Sequence, residues 1–290
     1  MADILTLIAA PGSGALTEPL IARVASIAGA GRPRVLSPGE AVEWSSGAPV
    51  DAASIRAALD GAPIDMVVAD ERNRRKRLLI ADMDSTIVTG ETLDELAAFA
   101  GVGERVAAIT TRSMNGELDF AAALRERVAL LQGLPVAALE QTWRGVRLSP
   151  GARTLVQTMR ANGALTALVS GGFTWFTARV AALCGFDVHR ANTLLDDGAV
   201  LLGRVGEPIL DREAKLATLI ELATAHGVAL ADCLAVGDGA NDLAMIKAAG
   251  LGVAYHAKPI VAAEARARVT HGDLRALLFM QGYSVDEFAG

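Results

Sequence analysis

Two short acidic clusters each follow directly on an apolar run. Asp82-Met83-Asp84-Ser85-Thr86 comes after Leu78-Leu79-Ile80-Ala81, and Gly237-Asp238-Gly239-Ala240-Asn241-Asp242 comes after the run from Cys233 to Val236. Carboxylates that converge repel one another, so a site built from them needs a cation, a shared proton or separate roles. Asp82 and Asp84 point to one site if the strand continues, because residues i and i+2 share a face. Gly237 and Gly239 permit unusual backbone angles and close approach, and Asp242 falls in the first helical turn. Ser170-Gly171-Gly172 follows a third apolar run, where a hydroxyl and backbone N–H groups at a helix start form a phosphate cradle. Lys215, in Asp211-Arg212-Glu213-Ala214-Lys215, reads on its own as a surface lysine. Each cluster taken alone also has a plainer reading, as a turn or a helix cap.

The elements that must position these residues alternate. Leu78 to Ala81 reads as a buried strand, and 92–145 as helix after helix. From Pro150 the pattern predicts helix 151–161, strand 164–169, helix 173–184, a hairpin near Asp196-Asp197-Gly198, helix 212–226, strand 232–236, helix 240–248, strand 250–254, helix 258–264, a short strand near Val269 and a helix over 273–279. Strands interleaved with helices predict an α/β fold, a Rossmann-like doubly wound parallel sheet. In such a sheet ligands sit outside the carboxyl ends of the strands, where the clusters fall. The helical block is a cap inserted after the first strand, over about 91–148. Residues 1–70 read as a small α+β domain of βαββαβ order. The charged run 71–77, Glu71-Arg72-Asn73-Arg74-Arg75-Lys76-Arg77, reads as a solvated linker in preference to a basic docking patch, which leaves 78–290 as the larger domain.

The 290 residues are 52% hydrophobic, ample for a sizeable core, and suit one large domain and one small. Twenty-seven basic against thirty-three acidic side chains give a net charge of −6, which argues against a nucleic-acid binder. Cys184 and Cys233 are too few for a disulfide framework and read as reduced core thiols. No apolar run is long enough to span a bilayer, and the first residues lack the basic start of a signal peptide. A cytoplasmic protein with no membrane or nucleic-acid partner is the expectation.

Taken together, in the order Asp-x-Asp, Ser-Gly, Lys, then Gly-Asp-Gly-x-Asn-Asp, the clusters resemble the four motifs of the haloacid dehalogenase superfamily of phosphohydrolases, over about Leu78 to Leu278. The second aspartate of the first motif is the phosphatase form and disfavours dehalogenation. Glu91-Thr92, the stretch Met114-Asn115-Gly116-Glu117-Leu118-Asp119-Phe120, Leu124 to Val128 and Ser170-Gly171-Gly172-Phe173 are similar to the phosphoserine phosphatase family. Residues 1–70 resemble, by topology and position, the degenerate ACT-like small-molecule-binding domain that often precedes this enzyme.

The resemblance implies that Asp82 is the nucleophile of an aspartyl-phosphate mechanism and that Asp84 is the general acid, then base. It implies Mg²⁺ held by the Asp82 carboxylate, the Asp84 carbonyl and Asp238, with Asp242 close behind. Lys215, Ser170, Asn241 and Gly171 would hold the phosphoryl oxygens. Glu91 would pair with the ammonium and Arg127 with the carboxylate of O-phosphoserine, under an apolar lid of Met114 and Phe120. The rival readings are a phosphatase of the same superfamily acting on another small metabolite, and a non-catalytic amino-acid sensor. A homodimer is left open.

Overall fold

A computed structural model describes residues 3–47, 49–114 and 117–290. The chain opens on the expected βαββαβ order: β1 (Asp3–Ala9), α1 (Glu18–Ile27), β2 (Arg34–Ser37), β3 (Ala41–Ser46), α2 (Ala52–Leu59) and β4 (Ile64–Asp70). The strands pair antiparallel in the order β2-β3-β1-β4, a split-βαβ arrangement. Side chains alternate across the sheet. Leu5, Leu7, Val42, Trp44 and Ile64 pack on Leu20, Val24 and Ile55 of the two helices. Ile8, Ala41 and Val67 face the other way and join the core of the remaining chain. With both faces buried, β1 reads as an almost unbroken apolar run.

Then come β5 (Leu78–Ala81), the cap helices α3 (Thr92–Phe99), α4 (Gly103–Met114), α5 (Phe120–Ala129) and α6 (Ala137–Gly145), and α7 (Ala152–Ala161). Next are β6 (Leu165–Phe173), α8 (Thr174–Cys184), β7 (Val188–Asn192), the hairpin β8 (Leu194–Asp196) and β9 (Leu201–Val205), and α9 (Arg212–Ala225). The chain closes with β10 (Cys233–Gly237), α10 (Leu243–Ala248), β11 (Leu251–Tyr255), α11 (Pro259–Glu264), β12 (Ala267–Val269) and α12 (Ala276–Met280). The second sheet is parallel, in the order β12-β11-β10-β5-β6-β7. Its two faces carry separate apolar layers: Leu79, Leu168 and Val236 on one side, Ile80, Val169 and Ala235 on the other. This is the expected doubly wound sheet, with one strand more than the apolar pattern predicts. β7 is the sheet's edge strand and reads Val-His-Arg-Ala-Asn, too polar to be seen as a buried run.

The cap leaves and re-enters the core through one antiparallel contact, Val88 opposite Leu148, flanked by Thr89 N–H to Arg147 O at 3.0 Å and Ser149 N–H to Ile87 O at 2.9 Å. The predicted hairpin braces it from below: the N–H groups of Gly133 and Val136 donate to the carbonyls of Leu201 and Ala199, both at 2.9 Å. No helix among the described residues is long and apolar enough to cross a membrane, and both cysteines are free and buried.

The run 71–77 is exposed at most positions, as its charge suggests, but several of its side chains also reach distant parts of the chain. Arg74 is nearly buried and donates to Glu43 at 2.8 Å and to the Met280 carbonyl at 3.2 Å. Arg75 lies over the Tyr283 ring at 4.0 Å and pairs with Glu287 at 2.5 Å. Lys76 takes its backbone partner from Gln281 at 2.9 Å. The charges stitch the first sheet to the chain's C-terminal segment, a pairing that only distant residues could reveal. Asp65 of β4 completes the joint. It is buried, and its carboxylate accepts from the N–H groups of Thr270 (2.8 Å), His271 (3.1 Å) and Gly272 (2.8 Å). Asp65→Ala orphans these donors, so we expect a loss of about 2–4 kcal/mol. A fall of roughly 5–10 °C in the midpoint of thermal unfolding checks this; an unchanged midpoint would show that water replaces the carboxylate without loss.

Candidate active site

The carboxyl ends of β5, β6 and β10 meet the underside of the cap around a cavity of about 340 Å³. Asp82, Asp84, Ser170, Gly171, Asp238 and Asn241 line it from the sheet, and Glu91, Phe120 and Arg127 from the cap side. Lys215 and Asp242 lie behind this wall and are almost fully buried.

Asp82 continues the pairing of β5, its N–H donating to Val236 O at 3.0 Å. The strand then stops. Met83 to Ile87 form a wide turn in which Ser85 takes a left-handed φ of 54°, so this turn, and not strand alternation, brings Asp84 round to the same cavity. Asp82 Oδ1 accepts from Met83 N–H at 2.8 Å and from Lys215 Nζ at 2.7 Å. Asp82 Oδ2 has no hydrogen-bond partner among the described residues.

Lys215 sits in the first turn or so of α9, whose start is capped by Asp211 accepting from Glu213 N–H (2.9 Å) and Ala214 N–H (3.1 Å). Its ammonium lies 2.6 Å from Asp242 Oδ1 as well as touching Asp82. Burial disfavours the ammonium, but the two carboxylates outweigh it and hold its pKa above the ordinary value. Burial, and then the charge of Asp242, push Asp82 upward. Asp242 Oδ2 accepts from Gly239 N–H at 3.0 Å. A Cβ at Gly237 would lie 2.4 Å from the Asp242 carboxyl group, which is why glycine ends β10.

Asp84 is set differently. Its Oδ1 accepts from Thr92 N–H at 2.9 Å and its Oδ2 from Ser170 Oγ at 3.2 Å. Burial first, and the charge of Glu91 second, raise it to about 7, so near neutrality it carries a proton for much of the time. Asp82, Asp238 and Asp242 each offer an oxygen within 4.8 Å of the others. Burial, then Asp242, raises Asp238 to about 6. Two of these carboxylates share the Lys215 ammonium, and all the donors are hard oxygens. That set fits a small divalent cation of the Mg²⁺ type.

Ser170-Gly171-Gly172 is not at a helix start. It continues β6, whose pairing with β7 is broken between Val169 and Phe173, and α8 begins only at Thr174. The Gly172 N–H donates to Ser170 Oγ at 2.8 Å. Asn192, which sequence reasoning missed, pins this bulge by donating to Gly171 O at 2.9 Å while accepting from Leu210 N–H at 2.7 Å.

On the cap side, Glu91 Oε1 accepts from Ser85 Oγ at 2.7 Å. Arg127 makes no ion pair among the described residues; its Nε donates to Ala123 O at 3.3 Å. Burial lowers its pKa, opposed by the charges of Asp94 and Glu91. Glu126, its neighbour in sequence, turns outward to Arg112 at 3.0 Å. The Phe120 ring closes on Gly171, 3.1 Å from where a Cβ would be. The side chain of Met114 lies outside the described residues, as do Asn115 and Gly116. Lys258 also lines the cavity and was missed, although it stands just beyond the carboxyl end of β11, where the same rule applies.

The haloacid dehalogenase-like hydrolase model matches residues 79–247. The chain is 42% identical over 236 residues to a phosphoserine phosphatase of Streptomyces coelicolor, covering 81% of this chain and 58% of that one. It is 45% identical to the phosphoserine phosphatase of Streptococcus thermophilus, over 69% of this chain and 93% of that one. A solved structure of a probable phosphoserine phosphatase from Vibrio cholerae superposes with a TM-score of 0.81 at 31% identity, over 99% of this chain and 88% of that one. The chain spans between about half and two thirds of the length of the curated relatives it matches first. With the motif residues gathered at three strand ends beneath a helical cap, the chain belongs to the haloacid dehalogenase-like hydrolases.

Proposed function

We propose that the chain is a Mg²⁺-dependent phosphoserine phosphatase that hydrolyses O-phosphoserine to serine and phosphate. The observation that carries this reading is the placement of Asp82 and Asp84 on one cavity under a cap that contributes one carboxylate, Glu91, and one guanidinium, Arg127, without an ion pair among the described residues. The similarity to phosphoserine phosphatases supports it.

Asp82 Oδ2 attacks phosphorus while Oδ1 stays held by Lys215 and Met83. The bond from phosphorus to the serine oxygen breaks, and Asp84 gives that oxygen its proton. Water then attacks the aspartyl-phosphate, Asp84 takes the water's proton, and the bond to Asp82 breaks to release phosphate. The position of Asp84 between Thr92 and Ser170 suits both proton transfers. Ser170, Asn241 and the Gly171 N–H hold the non-reacting oxygens, and Lys215 acts on them from behind Asp82. Asp82, Asp238 and the Asp84 carbonyl would hold Mg²⁺, with Asp242 behind. When bound, the ion supplies positive charge against the phosphate dianion. Glu91 and Arg127 recognise the ammonium and carboxylate, with Phe120 as part of the lid. The ACT-like reading of 1–70 rests on its strand order.

Asp82→Asn removes the nucleophile at nearly constant volume. We expect turnover of O-phosphoserine to fall by roughly a thousandfold or more with the circular dichroism spectrum unchanged; wild-type rates in the purified variant would sink the mechanism. Added Mg²⁺ should raise the thermal midpoint of the wild type by roughly 5 °C once well above its Kd and leave that of Asp238→Asn nearly unmoved. Equal shifts in both proteins would place the ion elsewhere. Arg127→Ala should lower kcat/KM for O-phosphoserine by about 2–4 kcal/mol, roughly 30- to 1000-fold, and change that for an aryl phosphate little. Equal losses on both substrates would make Arg127 a cap-folding residue.

A further inference from the structure

Four carboxylates, Asp82, Asp84, Glu91 and Asp238, line the cavity, against the cations Arg127 and Lys258 among the described residues. Lys215 is committed to Asp82 and Asp242. Arg127 is on the cap. Lys258 stands across from it, beside Asp238, Gly239 and Asn241, on the wall that faces the phosphoryl group under the proposed function. Its side chain is exposed and makes no hydrogen bond or close ion pair among the described residues, although its charge acts on the nearby Asp238 carboxylate.

The backbone of Lys258 is anchored at the start of α11 and to the loop that carries Asp238. Its N–H donates to Asp238 O at 3.2 Å, and its carbonyl accepts from Val261 N–H at 2.9 Å and Ala262 N–H at 3.0 Å, with Pro259 opening α11 immediately after it. Two residues earlier, His256 holds a left-handed φ of 42°, with Nε2 2.9 Å from Gly272 O and its N–H donating to Val269 O at 2.8 Å. A bulky residue in that region is sustained only by surrounding contacts. The turn 256–258 therefore fixes the backbone of Lys258 at the rim, tied to the loop that carries Asp238, and leaves its ammonium free to move beside it.

We propose that Lys258 is a phosphate-affinity residue: it draws the phosphoryl dianion into an otherwise acidic cavity and contacts its non-reacting oxygens, before the reaction and in the complex with the product phosphate. A compact ammonium on a flexible stem suits this work. The proposal rests on the phosphatase reading for its substrate, and its test is separable from that reading.

The experiment titrates inorganic phosphate calorimetrically into the full chain with Mg²⁺ present, for the wild type, Lys258→Ala, Lys258→Gln and Lys258→Arg. Initial rates are measured in parallel with O-phosphoserine and an aryl phosphate at low and high salt. Phosphate binding should weaken roughly five- to twentyfold in the Ala and Gln variants and be largely restored in Arg. The loss in kcat/KM should be similar for both substrates, fall on KM more than on kcat, and shrink at high salt because a rim charge is screened. Unchanged phosphate binding in Ala and Gln variants with wild-type thermal midpoints overturns the proposal. So does a loss confined to O-phosphoserine, which would put Lys258 on the substrate carboxylate, and so does a wild type that binds no phosphate. A wild type that binds phosphate but hydrolyses neither substrate refutes the phosphatase reading, while the titration still decides the role of Lys258.

Discussion

The ammonium of Lys215 is sealed between the carboxylates of Asp82 and Asp242, almost without access to solvent. A buried charge stripped of its partner is strongly destabilising, so these residues must arrive together or not at all. They come from the end of β5, the turn after β10 and the start of α9. β5 and β10 are therefore neighbours in the sheet, in register from Leu78 opposite Cys233 to Ala81 opposite Val236, and α9 must lie across the face that carries Ile80 and Ala235. Leu219 and Leu222 of α9 bury against that layer. The same clamp occupies one oxygen of Asp82 and leaves the other without a hydrogen bond among the described residues, the division that the proposed nucleophile requires.

Chemistry and recognition are separated by element. The sheet supplies rigid strand ends, and the groups that the proposed function sets facing phosphorus sit on them. The cap is connected to the sheet by one short antiparallel crossing and braced by a hairpin, and it carries Glu91 and Arg127, to which the proposed function gives the rest of the substrate. Phe120 meeting Gly171 is where the two halves touch over the cavity. A side chain at Gly171 would crowd the ring.

The first sheet is bound to the rest of the chain by a face and not by a tether. Thr6, Glu43 and Asp65 are the polar members of that face, and each is buried. Asp65 reaches Gly272, whose carbonyl holds the strained turn at His256, two residues from Lys258. A continuous set of contacts thus runs from the small sheet to the rim of the cavity.

The order of strands and helices, the cap and the placement of Asp82, Ser170 and Asp238 at strand ends were all legible from periodicity and turn chemistry, because buried strands of a parallel sheet are apolar runs that stop where the site begins. The motif order drew Lys215 and Arg127 to the site, which no local pattern does: each reads as a surface residue on a helix until the elements around it pack. Four features needed the tertiary structure. β7 is an edge strand, three of its five side chains are polar, and its apolar signal is weak. Asp84 reaches the cavity through a wide turn with a left-handed residue, not through strand alternation. Arg74 and its neighbours looked like a solvated run because their partners, Glu43, Met280 and Glu287, lie far away in sequence. Lys258 owes its position to Val269 and Gly272 holding His256. Local composition states what a segment will bury, but which distant group pairs with an isolated charge is decided only when the chain has closed around it.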